Sequence, residues 1–264
     1  MAIHKVEILL TDDDFNAKGK IKAENLYRYL QEAANRQTKA HNVGLEDLIK
    51  KGYMWVLTKM KVKILSDIRP GVKYICGTFP LRQKRVTFKR EFFMIEYTDN
   101  NNLQEAAERA AALAAAEQDR HFVGNDDYPR IVAAGTSQWC IMDFVTRKMV
   151  RADRAGFMLD ELAEDFDIIP GPIEKLKGDN LKYMGSHVVA PEDLDKNEHT
   201  NNCRYLTMAE EYVDRQGTDI IVNYISETRL GEEIKLYHEK QGSGDFIEGR
   251  TGEDDTIVFH ALFK

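Results

Sequence analysis

The chain is poor in cysteine: three in 264 residues, Cys76, Cys140 and Cys203, far apart and odd in number. That spacing gives no disulfide framework and no metal-ligand pattern, so buried reduced thiols are expected. Long apolar runs are missing too. None approaches the ~18–20 residues a membrane-spanning helix needs. The opening stretch, Met1-Ala-Ile-His-Lys-Val-Glu-Ile-Leu-Leu-Thr-Asp, turns charged before a secretory segment can form. A cytoplasmic location without a membrane span is the resulting expectation. Positive charge is also in deficit: a formal net charge of −7 argues against wholesale nucleic-acid binding. Two basic clusters depart from that average, one at Lys84, Arg85, Lys89 and Arg90, the other at Arg147, Lys148, Arg151 and Arg154. Each is either a solvated face or a surface that steers an acidic partner. With 43% hydrophobic and 31% charged residues, the chain has ample core for one large globular domain or two small ones.

What is present reads as two similar halves. In the first, a charged loop, Asp12-Asp13-Asp14-Phe15-Asn16, precedes a helical stretch over 21–42, where Leu26, Leu30, Ala33, Ala34 and Gln37 fall near helical spacing. A strand follows in which Met54, Val56, Thr58, Met60, Val62 and Ile64 alternate with Lys59, Lys61 and Lys63. Further strands are expected at 73–80, 86–97 and 131–143. The second half repeats this order: an acidic loop, Glu192-Asp193-Leu194-Asp195, a helix over about 201–215, then strands at 219–227, 232–239, 245–249 and 256–263. Both helices open on one tripeptide, Arg28-Tyr29-Leu30 and Arg204-Tyr205-Leu206. The pattern implies an α+β chain of two units, each an antiparallel sheet wrapped around a central helix. The expected limits are 1–150 for the first unit, 151–188 for a linker carrying Gly156, Pro170, Gly171 and Pro172, and 189–264 for the second. One excursion, about 99–130, interrupts the first unit. It holds an alanine-rich helix from Leu103, with Asn102 and Glu105 at capping-box spacing, and ends at Gly124, Asn125, Asp126, Asp127 and Pro129. Its alanine face looks too thin for a core, so a surface position or a place over an opening is expected.

Chemistry concentrates at 195–205. Asp195, Asn197 and His199 alternate just before a helix start, where a carboxylate, an amide and an imidazole can converge beside unpaired backbone N–H groups. A carbonyl lodged there would be polarised by hydrogen bonds and the helix dipole. The plainer alternative is a polar turn capping a helix. The corresponding stretch of the first half, Lys18-Gly19-Lys20-Ile21-Lys22-Ala23, has no carboxylate, amide or imidazole, which a mere cap does not explain. Glu211 is a rival carboxylate, read as structural. Asn201 and Asn202 read as capping residues, and Trp55 and Trp139 as core or cavity wall. His4, His41, His121, His187, His238 and His260 have no partners in pattern and read as structural or solvated.

The stretch Asp193-Leu-Asp195-Lys-Asn197-Glu-His199-Thr-Asn201-Asn202-Cys-Arg-Tyr205 resembles the D-L-D-x-N-x-H-x-N-N-x-K/R-Y signature of acyl-acyl-carrier-protein (acyl-ACP) thioesterases of plants and bacteria. Further stretches match in order: Trp55-Val-Leu-Thr-Lys59, Gly77-Thr78-Phe79-Pro80, Phe88-Lys-Arg90-Glu-Phe92, Ser137-Gln-Trp139-Cys-Ile-Met-Asp143 and Asn223-Tyr224-Ile-Ser-Glu227. The resemblance spans nearly the whole chain outside 104–130. It implies a tandem double hotdog that hydrolyses fatty acyl-ACP to free fatty acid and acyl carrier protein, with Asp195, Asn197, His199 and Glu227 as catalytic residues. No cofactor and no metal would be needed, and a homodimer is one assembly it allows. Thr228 stands where the family has cysteine, so water attack is expected, with Glu227 or His199 as general base, Asn197 holding the carbonyl or the water, and Asp195 orienting its neighbours and holding negative charge near His199. Two alternatives stay open: acyl-CoA as the substrate, or a hotdog protein that binds acyl thioesters without turnover.

Overall fold

The computed structural model describes residues 2–99, 101–116, 129–156, 163–215 and 217–264. The chain divides into two compact units, Met1–Ile21 with Arg28–Ile173, and Lys22–Tyr27 with Glu174–Lys264. The segment expected to be a linker is therefore shared out, and its end is a strand of the second sheet. Residues 121 and 124–127, read above as a solvated histidine and the close of the excursion, lie outside the described residues, as do parts of 99–130 and 151–188.

The first unit carries an antiparallel sheet in the order β1 (His4–Leu9), β3 (Lys73–Pro80), β4 (Thr87–Glu96), β5 (Ile131–Asp143), β2 (Tyr53–Ile64), with the short β6 (Met149–Val150) on β5. Its helices are α1 (Ala23–Ala40), which begins within the second unit's residues, α2 (Leu45–Ile49), α3 (Leu103–Ala115) and α4 (Ala152–Ala155). α1 turns its small and apolar stripe to one face of the sheet: Leu30 lies against Gly135 of β5, and Gln37 accepts a hydrogen bond from the buried Arg90 of β4. The strict alternation expected along β2 breaks at a bulge between Leu57 and Lys59. Leu57 is buried before it, Met60 and Val62 after it, so the extra residue switches the inward parity. On the same strand Lys63 donates to the carbonyl of Ala114 at 2.8 Å, at the C-terminal end of α3, where a cation is favoured.

The alanine-rich helix is not a surface ornament. Asn102 caps it, accepting from the Glu105 N–H at 3.3 Å. Its Ala106, Ala107, Ala110 and Ala114 are buried in a core with Ile75, Phe79, Phe93, Ile95 and Ile131. Thin side chains let the helix backbone lie close to the strands, so the face judged too thin for a core completes one. Adjoining this core, the fully buried carboxylate of Glu91 accepts from Thr136 Oγ1 at 2.6 Å and from the N–H groups of Ile168 and Ile169 at 2.9 Å each.

In the second unit the order is β8 (Asp219–Tyr224), β11 (Thr256–Phe263), β10 (Gly244–Thr251), β9 (Glu233–Gln241), β7 (Lys182–Val188), all antiparallel. Its helix, α5 (Arg204–Glu210), is shorter than the sequence pattern suggests. Asn201 Oδ1 takes the Cys203 N–H at 3.0 Å in a turn that delays the start, and buried Arg215 folds back onto Glu210 at 2.8 Å beyond the end. Tyr205 of α5 stacks on Phe259 of β11, ring centroids 5.0 Å apart.

A Cβ on Gly77 would stand 2.1 Å from Cζ of Phe93, a ring with no solvent exposure. Gly77→Ala should therefore destabilise the protein by about 1–3 kcal/mol in denaturant unfolding, and adding Phe93→Leu should recover part of the loss.

Candidate active site

The residues of interest sit on a turn built from local rules. A 3-10 turn, Pro191–Asp193, leads into a bridge between Leu194 and Thr200. Between them the Asp195 N–H donates to the His199 carbonyl at 2.8 Å, and Oδ1 of Asp195 accepts from the N–H groups of Asn197 at 2.8 Å and His199 at 3.2 Å. Glu198 adopts φ 61°, the left-handed geometry that closes the loop. The first half contains the same turn. A 3-10 turn, Asp12–Asp14, leads into a bridge between Phe15 and Ile21. Asn16 N–H donates to Lys20 carbonyl at 2.9 Å, its Oδ1 accepts from Lys18 at 3.0 Å and Lys20 at 3.1 Å, and Gly19 has φ 71°. Asn16 thus answers Asp195, Lys18 answers Asn197, and Lys20 answers His199. An amide is present in the first copy after all, two residues ahead of the stretch compared in the sequence, and it does the same backbone work as Asp195.

This matters for the role of each side chain. Asp195 binds the backbone N–H of His199, and its Oδ2 lies 3.4 Å from Asn197 Nδ2. The carboxylate partner of the imidazole is Glu227 instead: His199 Nε2 stands 3.4 Å from Glu227 Oε2, both partly open to solvent. The resemblance puts that charge on Asp195 and leaves only the choice of base open, between Glu227 and His199. Glu227 follows β8 on a segment tied to the turn, because the Thr200 N–H donates to the Thr228 carbonyl at 2.8 Å. Asn197 is exposed on the same loop. Glu211, the rival carboxylate, is exposed at the C-terminal end of α5. Trp55 and Trp139 belong to a small apolar cluster with Phe88 and Ile141.

Several residues missed by pattern hold this arrangement. Asp193, fully buried, accepts from the Ala190 N–H at 2.9 Å and from Arg204 Nε at 2.8 Å, and pairs with His187 Nε2 at 2.7 Å. Burial alone would raise its pKa, but the Ala190 N–H, then His187 and Arg204, outweigh that and hold it below the usual carboxylate range. Asp14 occupies the matching place in the first copy, accepting from the Thr11 N–H and the Tyr29 hydroxyl at 2.9 Å each. Two more histidines assigned no partner in the sequence pair with carboxylates, His238 with Asp245 at 2.9 Å and His260 with Glu248 at 2.7 Å. Thr200, Tyr205 and Thr228 form a buried hydroxyl group behind the turn.

All three cysteines are buried and unbridged, and burial pushes the thiols of Cys76 up to about 12 and of Cys140 up to about 11. A thiol so hard to ionise is a poor nucleophile. Among the described residues, no group of three or more His, Cys, Asp or Glu side chains is arranged to hold a metal ion, and no helix is long and apolar enough to cross a membrane. An open groove of about 550 Å³ runs beside Glu227, lined by Glu232, Glu233, Lys235, Glu253 and Asp254.

Comparison with known proteins gives a consistent answer. Two sequence models match: the acyl-ACP thioesterase N-terminal domain over residues 3–112, and the acyl-ACP thioesterase C-terminal domain over residues 179–256. Among solved structures, an acyl-ACP thioesterase from Bacteroides thetaiotaomicron superposes with a TM-score of 0.76 at 16% identity, over 99% of this chain and 96% of that one. A 12:0-ACP thioesterase from Umbellularia californica gives 0.76 at 15% identity, over 100% and 97%. At such identities the likeness speaks for the fold, the tandem double hotdog anticipated above. No curated protein sequence matches the chain.

Removing the Asp193 carboxylate leaves Arg204 short of a partner and the Ala190 N–H unsatisfied. Asp193→Ala should cost about 3 kcal/mol at neutral pH. Because the folded pKa is depressed, this contribution is present above the unfolded pKa and is lost as pH falls through the folded one. The gap between wild type and variant in urea unfolding should therefore narrow in acid.

Proposed function

The chain belongs to the acyl-ACP thioesterase family, hydrolases of fatty acyl thioesters carried on acyl carrier protein, and we propose that it performs this reaction by water attack at the His199–Glu227 pair. The observation that carries this reading is the 3.4 Å approach of the Glu227 carboxylate to the imidazole on the one turn of the two that bears a histidine. Water attacks the thioester carbonyl while its proton passes to the pair. The tetrahedral intermediate then expels the thiolate of the carrier's arm, which takes that proton back. Glu227 can accept the proton directly, or His199 can accept it with Glu227 stabilising the imidazolium. Asn197 holds the carbonyl or the water. Asp195 acts as a positioning residue, folding the turn as Asn16 does in the other copy.

The acyl chain is assigned to the first unit, where a pocket of about 30 Å³ lies among Trp55, Phe88, Trp139 and Ala34. That volume suits about one or two waters, so an acyl chain seated there requires these side chains to part. For the carrier protein, itself acidic, the two basic clusters now differ. Arg90 is buried against Gln37 and Thr78, and Lys89 is paired with Asp167 at 2.6 Å and Glu91 at 3.3 Å. Arg147, Lys148 and Arg151 flank the exposed Phe144, Val145 and Met149, and this cluster is the better docking surface. Cytoplasmic placement and a homodimer belong to the same reading, the latter decided by light scattering on the purified chain.

On purified acyl-ACP, His199→Ala and Glu227→Gln should each lower kcat by about 10²-fold or more; full activity in His199→Ala would end the reading. Asp195→Asn should retain more activity than Asp195→Ala, since an amide folds the equivalent turn at Asn16. Reversing charge with Arg147→Glu and Lys148→Glu should raise KM for acyl-ACP, leave acyl-CoA unaffected, and lose its effect as salt increases. A kcat/KM on acyl-CoA that exceeds that on acyl-ACP at both low and high salt would favour the CoA ester as substrate, and tight binding without turnover would favour a sensor.

A further inference from the structure

His199 and Glu227 come from different segments, and each is followed by a buried threonine. Thr200 and Thr228 are 4% and 0% exposed, and their hydroxyl oxygens lie 2.7 Å apart. Thr200 Oγ1 also lies 3.3 Å from the Thr228 carbonyl, and the Tyr205 hydroxyl lies 3.0 Å from Thr228 Oγ1. One direction of donation satisfies all three: Tyr205 donates to Thr228 Oγ1, Thr228 to Thr200 Oγ1, and Thr200 to the Thr228 carbonyl. Each hydroxyl then spends its single proton, as a buried site demands. Burial raises the Tyr205 pKa, which keeps the phenol protonated as the head of the circuit. The ring is held by its stack on Phe259 and is itself 2% exposed.

From this geometry we propose that the Thr200–Thr228–Tyr205 hydroxyl circuit is a positioning device, which locks the His199 turn and the Glu227 segment in register so that imidazole and carboxylate meet. It rests on the assignment of His199 and Glu227 as the reacting pair. Beside the pair, the backbone supplies the Thr200 N–H to the Thr228 carbonyl at 2.8 Å, and farther off Val189 exchanges bonds with Gly231 and Glu232 at 2.9 Å each. One backbone bond next to the pair leaves local freedom to twist about it; the hydroxyl contact is a second point there that removes the twist. The residue at 228 is also where the resemblance places a cysteine. A thiol is a weak donor and a weak acceptor, so it could not carry this circuit. The threonine therefore does work of its own here rather than standing in for a lost nucleophile.

The test is steady-state kinetics on acyl-ACP, well below the unfolding temperature of each variant. Thr228→Val keeps the shape and removes the hydroxyl; kcat should fall about tenfold with KM within about twofold, the signature of misplaced catalytic groups with binding intact. Thr228→Ser restores the hydroxyl and should recover most of the rate. Tyr205→Phe removes only the head of the circuit and should give a smaller loss of the same kind; it also serves if Thr228→Val does not fold. Wild-type kcat in both Thr228→Val and Tyr205→Phe, with His199→Ala and Glu227→Gln inactive, overturns the circuit and leaves the site standing. A serine variant as slow as the valine variant also overturns it. Activity in His199→Ala and Glu227→Gln overturns the site itself.

Discussion

A carboxylate with no water around it must find its donors in the protein, and Asp193 finds them in three directions: the Ala190 N–H behind it, His187 on β7, and Arg204 at the start of α5. Its own carbonyl accepts the Asn201 N–H at 2.8 Å. These bonds fix the turn between a strand and the central helix before any reactive group is placed. Desolvating that charge is unfavourable, and only a full set of partners offsets it, so the geometry around Asp193 has little freedom to relax. The His199 loop inherits that rigidity.

Around this anchor the work is divided by distance from solvent. Buried groups, namely Asp193, Thr200, Thr228 and Tyr205, make closed sets of hydrogen bonds and set positions. Partly exposed groups, His199 and Glu227, are left with a longer mutual approach of 3.4 Å. A gap of that length exceeds a well-formed hydrogen bond. The hotdog plan suits such a division, since one helix start and one strand end meet beside the loop.

Much of the fold was legible because its signals are local. Period-two alternation located β2, strands were expected at the places of β3 to β5, and the repeated loop–helix–strands order announced two units. What escaped depends on tertiary partners. β1 is six residues with a weak pattern and exists because β3 offers it an edge. β7, placed in the linker, is likewise defined by β9. The alanines of α3 looked insufficient because sequence cannot show that the strands beneath supply Phe93, Ile75 and Ile131. At the site, the signature located Asp195, Asn197 and His199, but not that Asp195 would face backbone. Nor could spacing show that Thr228, 28 residues from Thr200, would touch it. The basic run at 84–90 looked uniform, yet strand alternation sends Arg90 into the interior.

The pair of matching turns has an implication for how such an enzyme arises and changes. Because Asn16, Lys18, Gly19 and Lys20 trace the loop that Asp195, Asn197, Glu198 and His199 trace, bond for bond, the chain contains its own unequipped ancestor-like twin. Framework and reactivity are separable there: the backbone survives with lysines where the amide and imidazole stand. Two copies of one turn would let one drift toward other duties at the cost of a few side chains, while the other keeps the groups proposed to react.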